Sequence, residues 1–324
     1  MVKCLIAIAI VAAVLCLAVV FRNKTHFLGI KNIPFVGRGV WSIGIYTGNS
    51  PFELVPCKKI KNPVLTARSI TDIPARLVAD PFMVKKNFTW YMFFEIMNSR
   101  TRRGDIGLAS SADGFNWVYK QIVLDEPFHL SYPYVFEWEG EFYMIPETYK
   151  TDSVRLYKAS DFPAKWSFVG TLLEGKDYVD SSVFRFRDKW WMFTSTLQSD
   201  TLYLYHSDKL VGPWSPHPKS PIVKGNRNIA RPGGRVLILN GHVFRFAQDD
   251  APVYGNQVRA FEITRLTAAD YEEEETKGSP ALKASKTGWN ADGMHHIDAH
   301  PTGEGRWIAC VDGYRDVLLF GPRY

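Results

Sequence analysis

An aromatic-rich strand ending in a polar residue occurs five times in this 324-residue chain, and the recurrence is in phase. The runs begin at Trp90, Phe142, Trp190, Val243 and Trp307, and five positions on they carry Glu95, Glu147, Ser195, Gln248 and Asp312. Trp90-Tyr91-Met92-Phe93-Phe94-Glu95 and Phe142-Tyr143-Met144-Ile145-Pro146-Glu147 are visibly alike, and Trp190-Trp191-Met192-Phe193-Thr194-Ser195 follows them. The first three markers are offset by 52 and 48 residues, the length of a propeller blade rather than of a helical repeat. Such a unit cannot bury its apolar face alone, so its copies must stack. The expected fold is all-β: a five-bladed β-propeller whose channel mouth holds whatever chemistry the chain performs.

The phase extends to the strand before each aromatic run. Fifteen residues ahead of the first three markers stand Asp80, Tyr132 and Asp180, expected on innermost strands. Ala230-Arg231-Pro232 and His296-Ile297-Asp298 fill the corresponding places in the last two units. Outer strands follow, punctuated by turn signals such as Asp113-Gly114. The polar stretch 272–292 reads as an insertion before the last unit, with Glu272–Glu275 as a solvated helix or loop face. Aromatic residues make up 14% of the chain, enough to fill the spaces between blades. The net charge of +6 is spread without a Lys/Arg block, so no nucleic-acid partner is expected.

The ends organise the chain. Residues 4–21, between Lys3 and Arg22, are continuously apolar and reach about 27 Å as a helix, enough for one crossing. The run reads as a retained transmembrane anchor, with a cleaved signal peptide as the alternative. Residues 22–38 read as a juxtamembrane linker and 39–324 as the propeller. The sequons Asn23-Lys24-Thr25 and Asn87-Phe88-Thr89 point to a lumenal or extracytoplasmic propeller. Cys57 and Cys310 are the only soluble cysteines; they either meet in a blade that joins the two chain ends or remain unpaired, Cys310 as a buried thiol.

Several strings carry a family likeness: Ala79-Asp80-Pro81-Phe82, His129-Leu130-Ser131-Tyr132-Pro133-Tyr134, Met144-Ile145-Pro146-Glu147-Thr148, Ala230-Arg231-Pro232-Gly233-Gly234-Arg235, Arg245-Phe246-Ala247-Gln248-Asp249 and Met294-His295-His296-Ile297-Asp298. Together they resemble the N-terminal domain of plant glucosamine inositolphosphorylceramide transferases and its stand-alone relatives, itself similar to the five-bladed propeller of family 43 glycoside hydrolases. The resemblance runs from about Trp41 to the end. It implies a carbohydrate-active domain in glycan or glycolipid assembly or processing. Its alternative is a non-catalytic glycan- or headgroup-binding module serving a separate glycosyltransferase.

Site residues follow from both lines. Asp80 matches the position where family 43 hydrolases place a general base, and Glu147, among apolar neighbours, suits a general acid. Asp180 completes the expected catalytic set. Glu95, Tyr132, Arg231, Gln248, Asp249 and His296 are expected to bind substrate, with Arg231 a guanidinium clamp for a carboxylate or phosphate. The expected ligand is a glycan, a glycolipid headgroup or a sugar phosphate. His296, Asp298 and His300 alternate, so on a regular strand they share a face and form a possible divalent-metal set, with His295 pointing away. A phosphate-cradling Gly-rich loop, a Gly-x-Ser-x-Gly elbow and an Asp-x-Asp pair are all missing from the sequence.

Overall fold

The computed structural model describes residues 35–320. The apolar run at 4–21, and with it the expected membrane span, lies outside them, and among the described residues no helix is long and apolar enough to cross a membrane. The compact unit is Val40–Arg315. A second, small unit comprises Met1–Gly39 and Asp316–Tyr324, of which only strand ends are described.

Five antiparallel sheets form the five blades. Blade one consists of Ala75–Lys86, Thr89–Asn98, Gly104–Ser111 and Val118–Leu124; blade two of Ser131–Trp138, Glu141–Glu147, Ser153–Asp161 and Lys165–Glu174. Blade three holds Tyr178–Phe186, Lys189–Thr196, Thr201–Ser207 and Ser215–Pro216, with Val223–Lys224 beside its third strand. Blade four holds Leu237–Leu239, His242–Asp249, Gln257–Leu266 and Tyr271–Glu275, with Leu282–Lys283 beside its third. Blade five joins the two ends of the chain: Ile297–Gly303 and Arg306–Phe320 pair on with Phe35–Ser50 and Glu53–Pro56. That pairing closes the ring by building its last blade from both ends of the chain.

The repeated aromatics pack between blades, as strands with one face turned to a neighbour require. Tyr91 meets Phe162 edge-on at 5.1 Å, Phe93 meets Trp166 edge-on at 5.3 Å, and Trp190 meets Trp138 at 5.0 Å. Cys57 and Cys310 are buried free thiols in one apolar cluster of blades five and one. The acidic run is a strand and not a solvated loop or helix face. Tyr271–Glu275 forms the outermost strand of blade four because Glu273 grips the buried Arg245 through two contacts of 2.5 Å.

The first three innermost strands share a distortion. Asp80, Tyr132 and Asp180 have φ of 52°, 43° and 50°, and each lies where the register to the second strand slips. This is a left-handed bulge repeated blade by blade, a costly conformation for a non-glycine residue that a rigid surround must hold. In blade four the backbone is turned instead at Gly234 (φ 147°), which lies against the Ile297 carbonyl too closely for any side chain.

Below the mouth the axis is filled. Arg235 donates to Asp298 at 2.6 Å and to the carbonyl of Val135 at 2.9 Å, while Asp298 accepts the Met83 N–H at 2.6 Å and faces His300 at 2.9 Å. One ion pair therefore ties together the inner strands of blades one, two and five. Replacing Arg235 with Met leaves Asp298 buried without its counter-ion, so urea unfolding should show a loss of about 3–5 kcal/mol. Lys120→Met on an exposed outer strand should stay within about 0.5 kcal/mol; equal effects from both would remove the axial role.

Candidate active site

Strand pairing brings the polar markers to one end of the channel. Glu95 lies opposite Ala79, Glu147 opposite Ser131 and Ser195 opposite Val179, each one residue before the bulge that turns Asp80, Tyr132 or Asp180. Gln248 donates its N–H to the carbonyl of Arg231 at 2.8 Å, which seats Arg231 at the same level in blade four. Four acidic side chains from three blades thus gather in a nearly dry mouth: Asp80, Glu95 and Glu147 are 5–7% exposed and Asp180 only 1%.

Arg231 organises one half. Its Nε donates to Asp180 Oδ2 at 2.5 Å, one terminal nitrogen to Glu147 Oε2 at 3.2 Å and the other to Ser199 at 3.3 Å. Gln248 adds a donor to the same Asp180 oxygen at 2.6 Å. The guanidinium also lies 5.5 Å from the ring of Tyr254, which is exposed at the rim. Burial, reinforced by Glu147, outweighs Arg231 and pushes Asp180 up to about 7.

The other half is built on a buried histidine. Asp312 Oδ1 holds His295 Nδ1 at 2.8 Å, and His295 Nε2 faces Asp80 Oδ1 at 3.7 Å. Trp41 and Tyr254 pack against this imidazole at 4.2 and 5.2 Å. Burial opposes its charge, but Asp312 and then Asp80 raise it to about 9, so an imidazolium faces the cluster. Asp80 is itself lifted to about 7 by burial, partly offset by His295 and reinforced by Asp180 and Asp312. Glu95 is raised well above the carboxylate range by burial and by Asp80 and Glu147. It faces His129 at 3.7 Å, which burial, with Lys150 and Arg231, lowers to about 4. That neutral ring accepts the Gly104 N–H on Nδ1 at 2.9 Å and so turns its Nε2–H toward Glu95.

Asp80, Glu95, Glu147, Asp180, Arg231 and Gln248 therefore meet as expected. Other expected residues are used differently. The hydroxyl of the fully buried Tyr132 accepts the Gly234 N–H at 2.8 Å and contacts Ser182 at 2.8 Å, which makes it a strut between blades rather than a substrate contact. Asp249 is occupied by Asn228, Gln257 and Arg259 at 2.6–2.9 Å. His296 is buried, with Nε2 on the carbonyl of Pro81 at 3.0 Å and Nδ1 3.9 Å from Asp80.

The expected metal set is not assembled. Both oxygens of Asp298 serve Arg235, Met83 and His300, and His296 belongs to the Asp80 side. The group whose ligand atoms do converge, within 4.8 Å, is Asp80, His295 and Asp312. Asp312, however, already accepts from His295 Nδ1 and from the N–H groups of Asp80, His295 and His296. The trio is an ion-pair chain rather than a coordination shell.

His295 was missed because the alternation assumed a regular strand through 295–300. The strand starts only at Ile297, and the chain before it wraps Asp312. The surviving signal was the marker Asp312 itself.

The shifts set a pH dependence. A carboxyl raised from 3.8 to about 7 favours folding most below 3.8, and that contribution is lost as pH rises to about 7. An imidazole raised from 6.5 to about 9 contributes below 6.5 and loses its share toward pH 9. Both act in the same direction. Thermal melts across this range should show Asp80→Asn flattening the lower window and His295→Gln the upper; slopes unchanged from wild type in both would refute the assignment.

Over residues 36–314 the chain matches the family described as Glucosamine inositolphosphorylceramide transferase 1, N-terminal. It is 38% identical over 302 residues to Glucosamine inositolphosphorylceramide transferase 1 of Oryza sativa subsp. japonica, covering 86% of this chain and 40% of that protein. The Arabidopsis thaliana protein of the same name is 36% identical over 300 residues, covering 86% and 39%. The chain thus spans about two fifths of these relatives' length. Among solved structures, the catalytic domain of Coprinopsis cinerea GH62 alpha-L-arabinofuranosidase matches at TM-score 0.57 and 13% identity, covering 85% of this chain and 96% of that one. An exo-1,5-alpha-L-arabinanase from a bovine ruminal metagenomic library matches at TM-score 0.51 and 17% identity, covering 76% and 94%. At these identities the likeness is one of fold. By sequence over most of its length, the chain belongs to the family of the glucosamine inositolphosphorylceramide transferase 1 N-terminal domain.

Proposed function

We propose that the channel mouth takes a glycan or glycolipid headgroup and performs acid/base chemistry on it during glycan or glycolipid assembly or processing. The observation that carries this reading is the pairing of unlike carboxyls in one buried cluster. Asp80 titrates near neutrality beside an imidazolium, and Glu95 stays protonated beside a neutral histidine. Environments that separate two carboxyls in this way define a base and an acid. Asp80 is the base. The acid role passes from Glu147 to Glu95, because Glu147 is spent as a counter-ion of Arg231.

Asp80 Oδ1, Asp180 Oδ1 and Gln248 Oε1 are buried and accept no hydrogen bond from the described residues, so sugar hydroxyls would find acceptors there. Trp41 and Tyr254 at the rim offer apolar faces to a sugar ring. The relatives named glucosamine inositolphosphorylceramide transferase 1 support a glycolipid headgroup as the ligand. With residues 4–21 as anchor, the propeller would work at a membrane on the lumenal or extracytoplasmic side, alongside a separate glycosyltransferase.

A second reading, a binding module for such a transferase, is favoured by one observation. Tyr132 occupies the second blade's bulge, where a third in-phase carboxylate would stand, and its hydroxyl is consumed in holding blade four.

The full-length protein incubated with glycans, glycolipids and sugar nucleotides separates the two readings. Asp80→Asn and Glu95→Gln should each lower turnover by about 10²–10⁴-fold while leaving ligand affinity within a few-fold. Ligand binding without turnover in the wild type would establish the binding module instead.

A further inference from the structure

We infer that the end of the propeller opposite the acidic cluster carries a second ligand site, a cationic groove between blades five and one that takes a phosphate-bearing polyol. The two ends are well separated. On the innermost strand of blade one Asp80 and Lys85 are five residues apart, and on the second strand so are Glu95 and Trp90. Five residues of strand span about 17 Å, so one small ligand does not bridge them. This site is independent of the acid/base reading.

The groove encloses about 1030 Å³, at the upper end of the range for small-molecule sites. It arises from the closure of the ring. The end of the N-terminal strand, Thr47–Asn49, and the hairpin of the C-terminal pair, Pro301–Arg306, meet the first hairpin of blade one there. Its floor is apolar, with Trp90, Ile308 and Cys57 all buried. His300 forms one wall, fixed edge-on to Trp90 at 5.6 Å and tied to the axis through Asp298 at 2.9 Å.

Charge selects the ligand. Lys58, Lys59, Lys85 and Arg306 line the groove and are exposed, and none makes an ion pair among the described residues. Two are placed by aromatic rings: Lys85 Nζ lies 5.3 Å from the Trp90 ring and Lys59 Nζ 5.5 Å from that of Phe115. Lysines on a convex surface wave into water; these surround a concavity with an apolar floor. The lining holds two acids, Glu53 and Asp113. Asp113 is committed to its own turn, accepting the N–H groups of Phe115 and Asn116 at 2.8 Å and the Ser111 hydroxyl at 2.9 Å. An excess of ammonium and guanidinium groups calls for an anion of more than one charge, which a phosphomonoester supplies. Aromatic faces suit the C–H face of a ring, and Thr47, Asn49 and Thr302 can bond hydroxyls. A phosphorylated cyclic polyol joins those requirements in one molecule, either free or as the headgroup of a lipid.

Calorimetry on the full-length protein in neutral-detergent micelles tests this, with myo-inositol 1-phosphate, myo-inositol, and the same micelles doped with phosphatidylinositol 4-phosphate, whose headgroup carries a phosphomonoester, as probes. A phosphorylated probe should bind saturably, and myo-inositol should not. Lys85→Glu/Arg306→Glu should weaken that binding at least tenfold, as should Lys58→Glu/Lys59→Glu should the first pair fail to fold. Lys120→Glu, outside the groove, and Asp80→Asn, at the other end, should leave it unchanged. Binding of the free phosphate alone identifies a soluble ligand, binding of the doped micelles alone a lipid headgroup, and both support the site. It is overturned if neither phosphorylated probe binds, if the folded charge reversals bind as tightly as wild type, or if Asp80→Asn abolishes binding. The last outcome would move the ligand to the acidic mouth and leave the acid/base reading standing.

Discussion

The innermost strand of each blade has one edge with no strand beside it, and that edge faces a narrow, dry axis. Its N–H and C=O groups cannot reach bulk water, so they need side-chain partners or they cost stability. Much of the polar character of the channel is the answer to this demand. Asp298 takes the Met83 N–H and Arg235 the Val135 carbonyl. Asp312 takes the N–H groups of Asp80, His295 and His296. Tyr132 takes the Gly234 N–H, and His296 meets the Pro81 carbonyl. Propeller closure is thus a hydrogen-bonding problem as much as an apolar one, and four of the five blades meet in its solution.

This constraint separates structure from chemistry among residues that look equally polar in sequence. Tyr132, Arg235, Asp298 and Asp312 spend their polar atoms on backbone or on one another. Asp80 and Asp180 each keep an oxygen that no described donor reaches, and Gln248 does likewise. All three lie at the mouth, where the bulge has turned the chain and the axial filling has ended. Holding Asp80 and Asp180 in a left-handed conformation costs of order 1–3 kcal/mol each. Tyr132 carries the same strain as a strut, so what sets Asp80 and Asp180 apart is the oxygen each leaves without a donor.

The blades were legible because their spacing and aromatic runs report packing between sheets, which is local in sequence. Asp80 and Asp180 were legible through phase, and Glu95, Glu147 and Gln248 through the markers. What failed to show was anything fixed by the partner across the ring. Glu272–Glu275 reads as solvent-facing until Arg245 is placed beside Glu273. His296, Asp298 and His300 read as a shared face until Arg235 claims Asp298. His295 was assigned the wrong direction because a strand was assumed to begin two residues early. Each error has one origin: periodicity gives the direction of a side chain within its own strand, and the site is made where five strands meet.

The mouth is electrically lopsided, and that asymmetry lets similar carboxyls play different parts. Blade four brings a permanent cation, Arg231, against Asp180 and Glu147. Blade five brings a titratable one, His295, against Asp80. Glu95 touches neither cation, only the neutral ring of His129, and His295 offsets its shift from a distance. Glu147 is therefore held in place by a guanidinium that does not lose its proton. Glu95, desolvated and flanked by other carboxyls, keeps its own proton. Asp80 lies between these extremes because the imidazolium of His295 offsets part of the burial that raises it. A change in protonation at His295 alters the field at Asp80 directly, and Asp312 sets how firmly His295 holds its proton. Control of the Asp80 carboxyl thus runs through the same Asp312 that satisfies the inner backbone of blades one and five, which couples the closure of the ring to the ionisation of its mouth.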